Sequence, residues 1–239
     1  MVLQGCNLRL RYVKAQSVEE NILQTTIEVS INDSNKHTVE HIQWMNWPDR
    51  GVPPTNLSSF RLLTRVKLLT PIVVHCSAGI GRTGVIVGLD LFYSKLQKGI
   101  LARELCDGRM TEVKDLGNRN QWLNPVTFLA DVFCTDETRV VLSWPPGEND
   151  YIHANWVSGS DTPKKFICTQ APTKNTVEDF WRMIWQEGCK SIVMLCNITE
   201  CGKKKCEQYW PETSNPTVSS LSFDCECYRG SDYTIWLRT

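Results

Sequence analysis

The sequence has no excess of charge of either sign. Lysine plus arginine and aspartate plus glutamate each number 26, so the formal net charge at pH 7 is zero. Nucleic-acid-binding domains normally carry a basic excess, so nucleic acid is not an expected partner. An anionic ligand would have to be bound by locally placed charges and not by a field of the whole molecule.

Long apolar runs are also missing. No stretch approaches the ~20 uninterrupted apolar residues of a spanning helix, so no membrane segment is expected, although an anchor on a longer parent chain stays open. Residues 1–11 contain no apolar run of the kind found in a signal peptide. The 11 cysteines show no recurrent disulfide spacing. These absences predict a reducing, cytoplasmic setting.

The cysteines and histidines lack the spacing of a metal site. Two pairs of cysteines lie close together, but neither has a second pair at the distance that zinc sites use. These pairs are Cys201 with Cys206 and Cys225 with Cys227. His37 and His41 are four residues apart, but Val39 and Ile42 favour a strand there. The sequence therefore predicts no metal and no cofactor.

The 239 residues, 41% of them hydrophobic, are ample for a packed core. Apolar periodicity and turn residues predict a mixed α/β pattern. Strands are predicted at 22–31, 39–44, 71–74, 191–195 and within 220–239, with a turn at 32–35 and loops at 47–56 and 203–205. Helices are predicted at 57–69, capped by Asn56, at 83–96 and at 176–187. The expected fold is a central mixed, twisted sheet with helices on both faces.

Residues 75–84 (His-Cys-Ser-Ala-Gly-Ile-Gly-Arg-Thr-Gly) join a predicted strand to a predicted helix. Backbone N–H groups at a helix N-terminus form an anion site, and small residues let the backbone wrap around a phosphate. Arg82 can add a bidentate bond to phosphate oxygens. The helix dipole favours the thiolate of Cys76, which is then poised to attack phosphorus. The other expected loop residues are Ser77, Ala78, Gly79, Ile80 and Gly81, with Thr83 donating to the sulfur and His75 holding the loop from behind.

Other interpretations of this segment are weaker. Gly79, Gly81 and Gly84 match a dinucleotide-binding pattern, with Glu104 near the expected acidic position, but that pattern explains neither Cys76 nor Arg82. The Lys-Ser/Thr pair of a Walker-type loop is missing. A lone cysteine is usually a buried core residue, but ten consecutive residues in one motif favour a functional loop.

The motif His-Cys, five residues, Arg and Thr-Gly resembles the signature of the protein tyrosine phosphatases. Residues 47–53, with Trp47 and Asp49, are similar to the family's mobile acid loop. The resemblance implies hydrolysis of phosphotyrosine in a protein or peptide through a cysteinyl-phosphate on Cys76. Asp49 would protonate the tyrosine oxygen, whose pKa is near ~10, and such help is worth ~10²–10⁴ in rate. By the same resemblance, Glu200 and Lys205 support Arg82 and the acid loop.

The second half of the chain also resembles this family, in blocks at 136–140, 150–155, 169–172, 176–183 and 205–211. The blocks stand in reversed order, because in the family they precede the acid and phosphate loops. We therefore expect the C-terminal half of a phosphatase domain at 1–100, a junction at 101–127 and the N-terminal half at 128–239. Residues 233–235 look like a second copy of the element at 22–29. A permuted single domain, a fusion of two partial domains and a half-swapped dimer all fit.

Several family features are absent. No Gln-rich segment follows Leu96, and the position of the family's phosphotyrosine-stacking Tyr holds Leu129, or Phe128 after a one-residue slip. His153 and Ala171 replace an Asn and a Gly of the family pattern. These departures support an alternative function, an inactive pseudophosphatase or a phosphotyrosine-binding fragment.

Overall fold

The computed structural model describes residues 6–32, 35–49, 51–52, 57–97, 134–145, 149–160, 162–212 and 217–223. The predicted junction at 101–127, the positions of Phe128 and Leu129 and the predicted repeat at 233–235 lie outside these ranges. In the part of the chain that is described, no helix is long and apolar enough to cross a bilayer.

Eleven strands and three helices are present in the described ranges. The strands are β1 (Cys6–Glu19), β2 (Ile22–Ile31), β3 (Asn35–Trp44), β4 (Ile72–His75), β5 (Arg139–Val141), β6 (Tyr151–Val157), β7 (Phe166–Thr169), β8 (Ser191–Met194), β9 (Thr199–Glu200), β10 (Lys203–Lys204) and β11 (Thr217–Phe223). The helices are α1 (Ser58–Val66), α2 (Gly81–Gln97) and α3 (Val177–Gln186). The predicted strands at β2, β3, β4 and β8 and all three predicted helices are confirmed, with ends that differ by a few residues.

Nine strands form one mixed sheet in the order β11-β1-β2-β3-β8-β4-β7-β6-β5. The pairs β3–β8, β8–β4 and β4–β7 are parallel, and the outer pairs are antiparallel. In the centre, strands of the first hundred residues alternate with strands from beyond residue 134. The site at the end of β4 is therefore enclosed by strands from both parts of the sequence.

The two faces of the sheet are covered by different helices, as the alternation of side chains along a strand requires. In β4, Val73 packs in the core on the α3 side, with Phe180. Ile72 and Val74 pack on the other side, with Leu63 of α1 and other residues of α1 and α2. This burial on both faces explains the continuous apolar runs in the central parallel strands, and it confirms the α/β fold class.

Two local predictions are wrong. The N-cap of α1 is Leu57, with a φ of 60° and no side-chain cap, and not Asn56. Residues 203–205 are not a simple solvated loop, because β9 and β10 pair as an antiparallel hairpin. Lys203 and Lys204 are exposed, whereas Lys205 is partly buried against an acid.

Candidate active site

Two carbonyls of the loop between β4 and α2 accept hydrogen bonds from neighbouring segments. The carbonyl of His75 accepts a bond from the Leu195 amide at 2.9 Å, and that of Ser77 accepts from Ala171 at 3.0 Å. Within the described chain, the N–H groups of residues 77–80 donate to no backbone carbonyl. Helix α2 begins at Gly81, and backbone donors at a helix N-terminus are a type of structure to which anions bind.

Gly79 is required by the shape of this loop. Its φ is +80°, in the region that favours glycine. A Cβ atom added there would lie 2.4 Å from the carbonyl oxygen of Thr169. Because Thr169 is the last residue of the neighbouring strand β7, the loop backbone packs directly on the C-terminal end of that strand.

The Cys76 side chain is buried at the base of the loop. Thr83, in the first turn of α2, is also buried, and its hydroxyl makes no hydrogen bond to any of the described residues. The predicted bond from Thr83 to the Cys76 sulfur is therefore wrong for this conformation. Its unsatisfied hydroxyl nevertheless lies beside the proposed phosphate loop.

Arg82 is held in place by Glu200. Nη1 of the guanidinium donates to Oε1 of Glu200 at 2.6 Å, and Nη2 donates to Oε2 at 2.8 Å. Burial lowers the pKa of Arg82, but the hydrogen bonds and charge of Glu200 outweigh this, so the pKa is raised overall. Glu200 also accepts a bond from the Asn197 amide at 3.0 Å. The hairpin β9–β10 thus sets the direction of the arginine.

The predicted acid loop reaches the same arginine. The Trp47 carbonyl accepts a bond from Nη1 of Arg82 at 3.2 Å, and Asp49 Oδ1 lies 3.7 Å from Nη2. Lys205 donates to Oδ2 of Asp49 at 2.9 Å. The buried Trp47 ring donates from Nε1 to the Gly51 carbonyl at 3.1 Å, which closes the turn around Asp49.

A buried group behind the loop was not singled out from the sequence. The Tyr209 hydroxyl lies 2.7 Å from Nε2 of His75 and 3.0 Å from Nε2 of His41. Burial, then the charge of His75, lowers the pKa of His41 to about 3, so this ring is neutral. Burial first, then Cys206 and Cys196, raises the pKa of Tyr209, which keeps its hydroxyl protonated.

The Tyr209 hydroxyl fixes the orientation of the His75 ring, whereas the expected role of His75 in holding the loop from behind stays a prediction. Tyr209 lies 134 positions from His75 in the sequence. Its only sequence signal was its place in the family-like block at 205–211. All predicted site residues lie in the described ranges, and the contacts above bring Arg82, Trp47, Asp49, Glu200 and Lys205 together beside the loop.

A family model described as protein-tyrosine phosphatase matches residues 3–114 and 129–236. These two ranges cover most of the chain and include both loops of the site. The chain belongs to the protein-tyrosine phosphatase family.

Two curated relatives illustrate the relationship. Human receptor-type tyrosine-protein phosphatase epsilon is 27% identical over 285 residues, which span 87% of this chain and 41% of that protein. Zebrafish receptor-type tyrosine-protein phosphatase F is 30% identical over 259 residues, spanning 74% of this chain and 13% of that protein. The chain therefore spans less than half the length of these relatives.

Solved phosphatase structures are also similar over parts of the chain. The Trypanosoma cruzi protein tyrosine phosphatase TcPTP1 is 34% identical, with 40% of this chain and 35% of that chain covered and a TM-score of 0.38. PTPN18 in complex with HER2-pY1196 phosphopeptides is 32% identical, with 68% and 52% covered and a TM-score of 0.37.

Proposed function

We propose that this chain is an active protein tyrosine phosphatase that hydrolyses phosphotyrosine in a protein or peptide. Cys76 is the nucleophile, Arg82 and the amides of residues 77–81 bind the phosphoryl group, and Asp49 acts as acid and then as base. Family membership supports the reaction class, and the arrangement around Arg82 supports activity of this particular chain.

The donors left on Arg82 carry the proposal. A guanidinium has five N–H donors. Nη1 uses its two on Glu200 and on the Trp47 carbonyl, and Nη2 uses one on Glu200. Nε and the second hydrogen of Nη2 make no hydrogen bond to the described residues, although Nη2 lies 3.7 Å from Oδ1 of Asp49. They form an adjacent parallel pair, which is the geometry that binds two phosphate oxygens.

The reaction then proceeds in two balanced steps. The Cys76 sulfur bonds to phosphorus while the bond from phosphorus to the tyrosine oxygen breaks, and Asp49 gives its proton to that oxygen. Water next attacks phosphorus and loses a proton to Asp49, while the bond from sulfur to phosphorus breaks. Inorganic phosphate leaves, and the thiolate and the protonated acid are restored.

Hydrolysis of p-nitrophenyl phosphate by the purified chain tests this function. We expect vanadate-sensitive release of nitrophenol that disappears in Cys76→Ser. Cys201→Ser, which alters an exposed cysteine of the β9–β10 turn, is the matched control and should keep activity. Release that persists in Cys76→Ser, or no release from a chain with a folded circular dichroism spectrum, would contradict the proposal.

The role of Asp49 has a separate test. Asp49→Ala should lower kcat for a phosphotyrosine peptide by ~10²–10⁴, while the peptide stays bound because the loop and Arg82 are unchanged. Pull-down on an immobilised phosphopeptide, with and without vanadate, measures this retention. Unchanged kcat would remove Asp49 from the mechanism.

The second candidate is an inactive phosphotyrosine-binding pseudophosphatase. It is supported by Leu129 at the family's stacking position and by the missing Gln-rich segment after Leu96. A pseudophosphatase would still bind a phosphopeptide through Arg82 but would not hydrolyse it. Titration calorimetry with a phosphopeptide, together with the nitrophenyl phosphate assay, therefore distinguishes the pseudophosphatase from the active enzyme.

The proposed domain arrangement is a permuted pair of half-domains at 1–100 and 128–239, joined at 101–127. Strands of both ranges alternate in one sheet and Arg82 pairs with Glu200, which supports packing of the two half-domains on each other. A monomeric mass by light scattering is expected, and a stable dimer would favour exchange of halves.

We further propose a reducing, cytoplasmic setting. The seven cysteines whose side chains the structure describes are all free thiols, and the chemistry needs Cys76 reduced. Fractionation of cells that express the chain, followed by alkylation of its thiols, tests this setting.

A further inference from the structure

Three potential metal ligands meet in the core directly behind the phosphate loop. A ring nitrogen of His75 and the sulfur atoms of Cys196 and Cys206 all lie within 4.8 Å of one another. All three residues are buried, with exposed fractions of 0% for His75 and Cys196 and 3% for Cys206. Neither thiol takes part in the proposed phosphatase chemistry.

We propose that His75, Cys196 and Cys206 form a binding site for a thiophilic divalent cation of the zinc type. Two thiols and an imidazole are the ligand types that zinc prefers, and they disfavour calcium and magnesium. One bound Zn²⁺ releases two thiol protons to solvent. The product of two thiolates, one neutral imidazole and the cation has no net charge, which a fully buried position requires.

The separation of the ligands suits this cation after a small adjustment. Zinc binds thiolate at about 2.3 Å and imidazole at about 2.0–2.1 Å, so tetrahedral ligands lie about 3.5–3.8 Å apart. From the 4.8 Å limit, a closing movement of roughly 1 Å is sufficient. The Tyr209 hydroxyl, 2.7 Å from Nε2 of His75, orients the ring as outer groups do in metal sites.

The site joins three segments that the sheet already brings together. His75 ends β4, and its carbonyl binds the amide of Leu195, the residue before Cys196. Cys206 follows the hairpin that carries Glu200, and its amide donates to the Ile198 carbonyl at 3.3 Å. A cation bound here would link His75, at the start of the phosphate loop, to the β9–β10 hairpin that positions Arg82. Because the ligands are far apart in sequence, no zinc spacing was visible there.

Zinc binding is measured in a Cys76→Ser background, which removes the proposed nucleophile as a competing ligand. Equilibrium dialysis against Zn²⁺ should give about one equivalent per chain, and Co²⁺ should give a thiolate-to-cobalt charge-transfer band. Adding Cys196→Ser or Cys206→Ser should abolish both signals. Adding Cys201→Ser, which changes the exposed cysteine of the same hairpin, should leave both unchanged.

Two further measurements keep the test decisive if a core variant fails to fold. X-ray absorption of the zinc-loaded Cys76→Ser chain should show two sulfur ligands, and the same result is expected after Cys225→Ser with Cys227→Ser. Zinc should also raise the thermal midpoint of the Cys76→Ser chain. No zinc bound by the folded chain, a shell without sulfur, or loss of zinc in the Cys225/Cys227 variant would overturn the site.

Discussion

At the scale of single residues, Gly79 allows the backbone of the phosphate loop to pack against the end of strand β7. Its φ of +80° and the 2.4 Å that would separate an added Cβ from the Thr169 carbonyl oxygen both forbid a side chain. The left-handed conformation costs an L-amino acid ~1–2 kcal/mol, and the overlap of the added Cβ with the Thr169 backbone adds to that cost.

Gly79→Ala should therefore abolish most phosphatase activity and lower the free energy of unfolding by more than ~2 kcal/mol. Urea unfolding and the nitrophenyl phosphate assay measure the two effects. The control is Gly188→Ala, where φ is +61° but, apart from its two chain neighbours, none of the described residues comes within 4 Å of the added Cβ. This control should show only the cost of the left-handed backbone and should keep its activity. Equal losses of stability and activity in both variants would mean that the contact with Thr169 has no role.

Glu200 is the second residue on which the arrangement depends. Glu200 accepts hydrogen bonds from two nitrogens of the buried Arg82. Without Glu200, the buried charge of Arg82 would lose this ion pair. Glu200→Gln keeps the shape but removes the charge and one acceptor oxygen.

Glu200→Gln should lower kcat/KM for a phosphotyrosine peptide by about 10- to 100-fold, since a hydrogen bond to a charged group contributes about 1.5–3 kcal/mol. Steady-state kinetics measure the loss, and Glu137→Gln at an exposed position is the control. An unchanged kcat/KM would mean that Arg82 is positioned without Glu200.

At the scale of elements, a buried ion pair fastens α2 to the sheet. Lys165 precedes β7 and donates to both carboxylate oxygens of Asp90 in α2, at 2.6 Å and 2.8 Å. Its ammonium also lies 5.1 Å from the centre of the Phe166 ring. Because α2 begins at the phosphate loop, this pair fixes the helix on which Arg82 stands.

Asp90→Ala should destabilise the fold by ~3–5 kcal/mol, because it leaves the lysine charge buried and unpaired. The double variant Asp90→Leu with Lys165→Met should recover most of that loss, since a well-packed apolar pair replaces the ions. Urea unfolding of the single and double variants gives both values. A single variant that unfolds like the parent would show that the pair contributes nothing.

The elements that could be predicted from the sequence are those defined by local signals. The apolar run of β4, the small residues of the loop and the start of α2 follow one another, so the strand, loop and helix were all recognisable. The cap of α1 was missed because a left-handed Leu57 has no sequence signature. The pairing of β9 with β10 was missed because each strand has only two residues.

Contacts between distant residues could be expected only through family resemblance. Glu200 lies 118 positions from Arg82, and Lys205 lies 156 positions from Asp49. No local sequence pattern predicts such pairs. They form because the sheet places β4 between the parallel strands β8 and β7. Tyr209 and the ligands behind the loop were not recognised for the same reason.

At the scale of the whole molecule, the buried histidines make stability depend on pH. Burial, then the charge of His75, lowers the pKa of His41 to about 3 from an ordinary value of 6.5. Between these values the unfolded chain binds a proton at His41 that the folded chain does not. The contribution of neutral His41 to the free energy of unfolding is therefore complete above pH 6.5, and it is lost as the pH falls towards 3.

The free energy of unfolding should fall below pH 6.5 by up to about 1.4 kcal/mol per pH unit from His41 alone. His41→Gln, which keeps a polar partner for Tyr209, should have a shallower slope. Urea unfolding from pH 7 to about pH 5 avoids most of the carboxylate titration. Identical slopes for the parent and variant would show that His41 does not titrate differently in the two states.

The proposed phosphatase reaction depends on a covalent phosphate on Cys76. Mass spectrometry of the chain, quenched with acid during turnover of a phosphotyrosine peptide, tests it most directly. We predict one added phosphoryl group located on Cys76, absent in Cys76→Ser and more abundant in Asp49→Asn when a phenyl phosphate with a good leaving group is used. Turnover without any phosphorylated Cys76, or a phosphoryl group on another residue, would contradict the proposed reaction.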